Sequence, residues 1–215
     1  MIEKLKKKTK FAIPYLVKPL FDLIPESLYN LALNRKWDEF NSIVANYTSK
    51  KDDFFFIQIG SNDGKYDDPI HEYVIKFKWS GILVEPNINC FNKLVKNYRN
   101  QKNLVFESTA ISSKDEIRKF YYYKENKHLC SLGSFFPGIP FKKWWLIPNI
   151  KEHLVVEKIR CISFKTLMQR YNVSKIDLLC IDTEGYDYEI IKQLDFAKIK
   201  PSMILYEHKH LIKND

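Results

Sequence analysis

The feature that most constrains the fold is a series of short apolar runs separated by segments with helical spacing. Runs of this kind are typical of strands buried on both faces of a sheet. The predicted strands are 54–59, 81–85, 103–107, 176–181 and 203–206. The predicted helices are 67–77, 89–98, 163–171 and 186–194, with Asn89 and Ser163 as caps of the second and third. This alternation predicts an α/β fold with a mostly parallel sheet and helices on both faces.

The remaining segments predict the domain organisation. Residues 1–52 carry helically spaced apolar positions and form a predicted N-terminal helical appendage, whereas 53–215 form the sheet domain. Two further strand candidates lie at 117–123 and 155–162. Between them, the segment at about 124–154 is rich in proline, glycine and aromatic residues and predicts a loop-rich insertion. A length of 215 residues accommodates one domain with such an appendage.

Charge and cysteine content limit the function classes. The net charge is +9, but the first ten residues hold five lysines against one glutamate, so the remainder is only mildly basic. We expect a solvated surface and no nucleic-acid partner, with weak membrane-surface contact through the basic N-terminus as an alternative. No run is long enough for a membrane span, and no signal peptide is evident. The four scattered cysteines favour a reducing compartment, and we expect a cytoplasmic protein.

The first predicted strand ends in a glycine-bounded pentad, and the second ends in an acid. A glycine at a strand end allows positive φ and close approach of the backbone to a ligand, although an ordinary turn would use it too. Glu85 follows 21 residues after Gly64, where an acid suits the two hydroxyls of a ribose. Together these features predict a site for an adenosine-type cofactor. The residues assigned to it here are Gly60, Ser61, Asn62, Asp63, Gly64, Glu85 and Pro86.

The same corner of the sequence discriminates between two cofactor classes. A dinucleotide site favours Gly-x-Gly-x-x-Gly, but Asn62 and Lys65 occupy the second and third glycine positions. Acids at 63, 67 and 68 would repel a diphosphate, by ~1–4 kcal/mol per close pair. They are acceptable near S-adenosylmethionine, which carries a sulfonium and an ammonium. We therefore predict S-adenosylmethionine, with an NAD(P)-dependent oxidoreductase as the alternative enzyme.

Acidic and histidine residues follow the fourth and fifth strands. Asp182 and Glu184 can perform acid–base chemistry, whereas Asp187 and Glu189 are adequately explained by the dipole of the next helix. His208 is a further candidate for the base that removes a hydroxyl proton. We predict no resident metal. A metal-assisted variant would use Asp182 or Glu184 with Glu207, whose direction strand alternation leaves open.

Three motifs in this order resemble the FkbM family of S-adenosylmethionine-dependent methyltransferases. They are FIQIGSNDG at 56–64, VEPN at 84–87 and IDTEGY at 181–186. The resemblance implies a Rossmann-like class I methyltransferase fold and methylation of hydroxyl groups on sugars, polyketides or other small molecules. It also implies that Glu85 binds the ribose, that Ser108 to Ala110 border the adenine, and that Asp182 lies beside the methyl group with Glu184.

The resemblance does not explain how the domain ends after its fifth strand. Class I methyltransferases usually continue past the fifth strand with a helix and a hairpin. We expect both to be missing from this sequence, either because it is truncated or because the last two strands are dispensed with. We expect the exposed fifth-strand edge to be covered by the N-terminal segment or by a second subunit in a homo-oligomer. The aromatic residues of the insertion, Phe135, Phe136, Trp144 and Trp145, are candidates for a lid over a glycan or small-molecule acceptor. A non-catalytic module that binds a partner is the remaining alternative.

Overall fold

A computed structural model describes residues 42–44, 46–48, 51, 53–66, 68–123, 133–137 and 150–207. The chain divides into two compact units, 1–54 and 55–215. In the first unit, residues 42–44 and 46–48 are helical, and the Tyr47 ring meets the Phe54 ring edge-on with centroids 6.1 Å apart. His208, Asp67, Trp144 and Trp145, which the sequence analysis singled out, lie outside the described residues.

The described part of the second unit contains nine strands and four α-helices. The strands are β1 (Phe55–Ile59), β2 (Ser80–Val84), β3 (Leu104–Glu107), β4 (Ala110–Ser112), β5 (Glu116–Tyr123), β6 (Gly133–Ser134), β7 (Leu154–Ser163), β8 (Leu178–Ile181) and β9 (Met203–Tyr206). The helices are α1 (His71–Phe77), α2 (Ile88–Asn97), α3 (Phe164–Arg170) and α4 (Asp187–Ile191). Within this part of the chain, every helix is too short or too polar to cross a lipid bilayer.

Five strands form the parallel sheet that the sequence predicts. Their order is β3-β2-β1-β8-β9, and every neighbouring pair is parallel. Chain order runs outward from β1 toward β3 on one side and from β8 to β9 on the other. Strand order therefore reverses at β1, and the crevice where ligands of such sheets bind lies at the carboxyl ends of β1 and β8.

Helices pack against both faces of this sheet, because the strands are apolar on both sides. On one face, Ile57 and Ile181 belong to a core cluster that includes Leu167 of α3 and Ile190 of α4. On the other face, the Phe56 ring lies 6.1 Å from the Trp79 ring, which stacks on the Tyr73 ring of α1 with centroids 5.6 Å apart. Burial of these side chains supplies the main driving force for packing the helices on the sheet.

The described residues also form a second sheet, which was not predicted from the sequence. Its order is β4-β7-β5-β6, with β5 antiparallel to both β6 and β7 and with β4 parallel to β7. The strands predicted at 117–123 and 155–162 are present as β5 and β7, but nothing in their local pattern indicates that they pair. The described part of the predicted loop insertion also contains β6 and a 3-10 turn at Ile150–His153.

Local capping explains where the helices begin. Asn87, not Asn89, caps α2, because its side-chain oxygen accepts from the backbone N–H groups of Asn89 at 3.0 Å and Cys90 at 3.4 Å. Ser163 caps α3 as predicted, accepting from the N–H of Thr166 at 3.1 Å. α1 begins at 71 and not at 67, since Pro69 disfavours helical geometry at the preceding residue.

Candidate functional site

The turn after β1, here called the β1 turn (60–64), is fastened to the end of β2. The N–H groups of Gly60 and Ser61 both donate to the carbonyl oxygen of Val84 at 3.0 Å, and the N–H of Gly64 donates to Ser61 at 2.8 Å. Positive φ angles occur at Gly60 (81°), Asn62 (48°) and Gly64 (67°). The chain can fold this sharply because glycine tolerates these angles and asparagine does so better than most residues.

Gly60 and Gly64 are needed because other parts of the protein pack closely against them. A Cβ on Gly60 would lie 1.8 Å from the carbonyl oxygen of Asp182, and a Cβ on Gly64 would lie 2.3 Å from Cδ1 of Leu94. The sequence analysis attributed these glycines to the approach of a ligand. The contacts show a nearer reason, which is that the β1 turn packs directly against the end of β8 and against α2.

Glu85, at the end of β2, is buried with only 6% of its surface exposed. One carboxylate oxygen accepts from the N–H of Asn62 and the other from the N–H of Asn87, each at 2.8 Å. Burial raises the pKa of Glu85 to about 7, and the two backbone hydrogen bonds oppose that shift. Since a carboxylate has about four acceptor positions, two remain for a ligand.

The acids near the β1 turn satisfy backbone groups. Asp63 accepts from the N–H groups of Lys65 at 2.9 Å and Tyr66 at 2.8 Å. Asp68 accepts from those of Ile70 at 2.8 Å and His71 at 3.1 Å, and burial raises its pKa. These acids were predicted from the sequence to disfavour a diphosphate, and their positions explain why acidic residues occur here at all.

The backbone N–H groups around the β1 turn are almost all occupied. Those of six residues donate to protein oxygens, namely Gly60, Ser61, Asn62, Gly64, Lys65 and Tyr66. A diphosphate site requires the opposite arrangement, in which such groups face the ligand. The neighbouring strand ends present carboxylate oxygens, which are acceptors, and these suit a ligand that carries hydroxyl and cationic groups.

Ser108 and Ala110, which are predicted to border the adenine, follow the end of β3. Ser108 is exposed, but Ala110 belongs to β4 and is buried in the second sheet opposite Cys161. Glu107, the last residue of β3, binds Nη1 of Arg170 at 2.5 Å and the hydroxyl of Tyr171 at 2.7 Å. Glu107 therefore anchors the end of α3 to the sheet.

The turn after β8, here called the β8 turn (182–186), forms a carboxylate cluster with the residue that follows β9. Oxygens of Asp182, Glu184 and Glu207 lie within 4.8 Å of one another, with Asp182 exposed and the other two half-buried. The sequence analysis left the direction of Glu207 open, and the structure brings it to the other two acids. Such a set can accept a proton or supply hard oxygen ligands to a divalent cation, so the expected absence of a metal stays a prediction.

Asp187 was assigned from the sequence to the dipole of α4, but it has a more specific position. It is fully buried and accepts from the hydroxyl of Thr183 at 2.8 Å and from the N–H of Glu207 at 3.2 Å. Burial raises its pKa. Asp187 thus links the end of β9 to the β8 turn. The sequence did not indicate this link, because Glu207 lies 20 residues after Asp187.

The described part of the insertion contacts the β8 turn. The rings of Phe135 and Phe136 lie 5.0 Å and 6.2 Å from the ring of Tyr186, centroid to centroid. The hydroxyl of Ser134 donates to the carbonyl oxygen of Glu184 at 2.8 Å. Sequence reasoning missed Ser134, because a lone serine in a loop-rich segment carries no signal of a long-range partner.

Comparison with known proteins identifies the family. A family model described as the methyltransferase FkbM domain matches residues 58–215, which is well over half of the chain. The matched region includes the β1 turn, Glu85 and the complete carboxylate cluster. No curated protein and no solved structure matches the chain. The match confirms the resemblance carried by the three sequence motifs, and the chain therefore belongs to the FkbM family of methyltransferases.

Proposed function

We propose that the protein is an S-adenosylmethionine-dependent methyltransferase with a Rossmann-like class I fold that methylates a hydroxyl group. The single observation that carries the cofactor assignment is the occupancy of the N–H groups around the β1 turn. They have protein acceptors, so they offer no cradle for the diphosphate of NAD(P). The acceptor oxygens of Glu85 and the carboxylate cluster suit the ribose hydroxyls and positive charges of S-adenosylmethionine.

Glu85 is the residue proposed to bind the ribose. Its position at the end of the strand next to β1 is the usual one for this role, and two of its acceptor positions remain open. The same carboxylate fixes the N–H of Asn62, so binding of the ribose would take place on a preorganised β1 turn. Ser108 and Ala110 remain the proposed border of the adenine.

The carboxylate cluster is proposed to serve the acceptor side of the reaction. When bound, S-adenosylmethionine supplies an electrophilic methyl group on its sulfonium. Glu184 or Asp182 would accept the proton of the attacking hydroxyl, a contribution of roughly 10²–10⁴-fold in rate. The rings of Phe135, Phe136 and Tyr186 would exclude water and present an apolar face to a sugar ring or a flat small molecule.

Calorimetry with S-adenosylhomocysteine and with NAD⁺ tests the cofactor assignment. We expect binding of S-adenosylhomocysteine only, and binding of NAD⁺ alone would overturn the proposal. Glu85→Gln should weaken the affinity roughly 10- to 100-fold, the range for losing a hydrogen bond to a charged group. Glu107→Gln is the matched control, because Glu107 is an equally buried acid at the next strand end whose partners are Arg170 and Tyr171.

Turnover separates an enzyme from a non-catalytic module. The protein would be incubated with methyl-labelled S-adenosylmethionine and a panel of sugars, phenols and polyketide-like alcohols, with and without a chelator. Label transferred to oxygen and reduced by Glu184→Gln supports the proposal. Tight binding of S-adenosylhomocysteine without transfer to any acceptor would favour the partner-binding module, and loss of activity with the chelator would favour the metal-assisted variant.

A reducing compartment is proposed for the protein. Three of its cysteines, Cys90, Cys161 and Cys180, are buried free thiols in the described part of the chain. Burial also raises the pKa of the Cys161 thiol to about 11, so this cysteine is poorly reactive. These properties agree with the cytoplasmic location expected from the sequence.

A further inference from the structure

We infer that Ser134 is a positioning residue, whose hydroxyl fixes the β8 turn so that Glu184 stays within the carboxylate cluster. This inference rests on the proposed function, because it assigns the cluster to the acceptor side of methyl transfer. Ser134 belongs to the second sheet and lies 50 residues before Glu184 in the chain.

The β8 turn adopts a conformation that its sequence does not favour. Glu184 has a φ of 51° and Gly185 a φ of 106°, so two consecutive residues lie in the positive-φ region. Glycine tolerates this region, but glutamate does so only when surrounding structure holds it there. An external group is therefore needed to keep Glu184 in place.

Electrostatic repulsion adds to that need. The oxygens of Glu184 approach those of Asp182 and Glu207 to within 4.8 Å, and like charges at this distance repel one another. A turn without external support would relax by rotating Glu184 away from the other two acids. The geometry of the cluster thus depends on a contact that resists this rotation.

Ser134 makes that contact. Its hydroxyl donates to the carbonyl oxygen of Glu184 at 2.8 Å and accepts from the N–H of Phe136 at 3.1 Å. The side chain is only 1% exposed, so water cannot replace the hydrogen bond. The donor and the acceptor function of this hydroxyl are both used, which makes its orientation specific.

The second sheet holds Ser134 in this position. Ser134 pairs with Tyr121 of β5, and the preceding Gly133 lies against the ring of Phe120. The ring of Phe135 meets the ring of Tyr186 edge-on, and the Arg118 guanidinium lies 4.1 Å from the Phe135 centroid. The segment 133–136 therefore contacts the β8 turn through the Ser134 hydroxyl and through two rings, and both Ser134 and Phe135 are held against β5.

A matched pair of substitutions tests the inference. Ser134→Thr keeps the hydroxyl, and Ser134→Val has nearly the same shape without it. Hydrogen exchange of peptides covering 183–187 and cleavage after Glu184 by a glutamyl endopeptidase report the turn directly. We expect both rates to rise about tenfold in Ser134→Val and to stay near the wild-type rates in Ser134→Thr. Ser113→Ala, at an exposed serine of the same unit, is the control.

Catalytic measurements distinguish positioning from general damage. On the acceptor found in the panel, Ser134→Val should lose at least tenfold in kcat, with the KM for S-adenosylmethionine and the affinity for S-adenosylhomocysteine within twofold of wild type. Ser134→Ala replaces the valine variant if that variant does not fold. Wild-type exchange and cleavage in the variants lacking the hydroxyl, or an equal loss of cofactor affinity, would overturn the inference. Failure of the wild-type protein to bind S-adenosylhomocysteine would overturn the proposed function instead, while exchange and cleavage still decide the role of Ser134.

Discussion

The β1 turn and the β8 turn occupy equivalent places at the ends of neighbouring parallel strands, yet they are held in different ways. Both contain a glycine and a non-glycine residue with positive φ. The β1 turn is fastened by its own backbone N–H groups to Val84, the last residue of β2, and to Glu85, which follows it. The β8 turn is fastened by Ser134 of the second sheet and by Asp187, which reaches the end of β9.

This difference separates the proposed cofactor side of the site from the proposed acceptor side. The β1 turn is held mainly within one βαβ unit, by Val84 and Glu85. The β8 turn depends in addition on Ser134 of the second sheet, which lies 50 residues before Glu184. The proposed acceptor side is therefore the part of the site that depends on a contact between the two sheets.

The largest expected effect comes from filling the space at the β1 turn. Gly60→Ala adds a Cβ 1.8 Å from a backbone oxygen of Asp182, at a residue with a φ of 81°. Backbone strain and overpacking together should lower the free energy of unfolding by about 4 kcal/mol in urea denaturation. Gly133→Ala is the control in the second sheet. Its Cβ would lie 2.4 Å from the tip of the buried Phe120 ring, a side chain and not the backbone, and Gly133 does not have a positive φ, so a smaller loss is expected. A loss as large as that of Gly60→Ala would show that the two regions do not differ.

A buried carboxylate helps to hold each turn, Glu85 the β1 turn and Asp187 the β8 turn, and the pH dependence of stability tests the first of them. The pKa of Glu85 rises from 4.5 to about 7 on folding, so the folded state binds more protons between these values. The free energy of unfolding should therefore fall as pH rises from about 4.5 to about 7, by ~3 kcal/mol from Glu85 alone. Denaturation of wild type and Glu85→Gln across this range measures it, and parallel curves would contradict the assignment.

A smaller effect is expected from the hydroxyl that supports Asp187. Thr183→Val removes the 2.8 Å hydrogen bond to this fully buried carboxylate and should lower the free energy of unfolding by about 2 kcal/mol. Thr166→Val is the matched control, because Thr166 donates to Asp115, whose carboxylate faces solvent. Similar losses in the two variants would argue that Asp187 does not support the β8 turn.

The smallest effects should come from the residues that cap the N-termini of α2 and α3. Asn87→Ala at α2 and Ser163→Ala at α3 should each lower the free energy of unfolding by about 1 kcal/mol. Asn87→Ala keeps the backbone N–H that donates to Glu85, so the affinity for S-adenosylhomocysteine should not change. A loss of affinity in this variant would show that the cap and the cofactor side are coupled.

Local sequence patterns were sufficient to predict the parallel sheet and the residues at its strand ends. Runs such as 54–59 and 176–181 are apolar on both sides, and only a sheet covered on both faces buries them fully. The position of Glu85 after β2 followed from the spacing of a βαβ unit. These features are local, because strand type, turn chemistry and capping depend on residues within a few positions of one another. Even there, the cap of α2 was misplaced by two residues.

The contacts that surround those strand ends depend on tertiary packing and could not be predicted from the sequence. Pairing of β5 with β7, the approach of Glu207 to Asp182, and the contact of Ser134 with Glu184 all join residues 20 to 50 positions apart. Hydrophobic periodicity does not predict such contacts, because the pattern of a strand shows which of its faces is buried but not which strand lies next to it. The surroundings of the β8 turn are therefore a property of packing between the two sheets, whereas the β1 turn and Glu85 could be identified as candidates from the order of the residues alone.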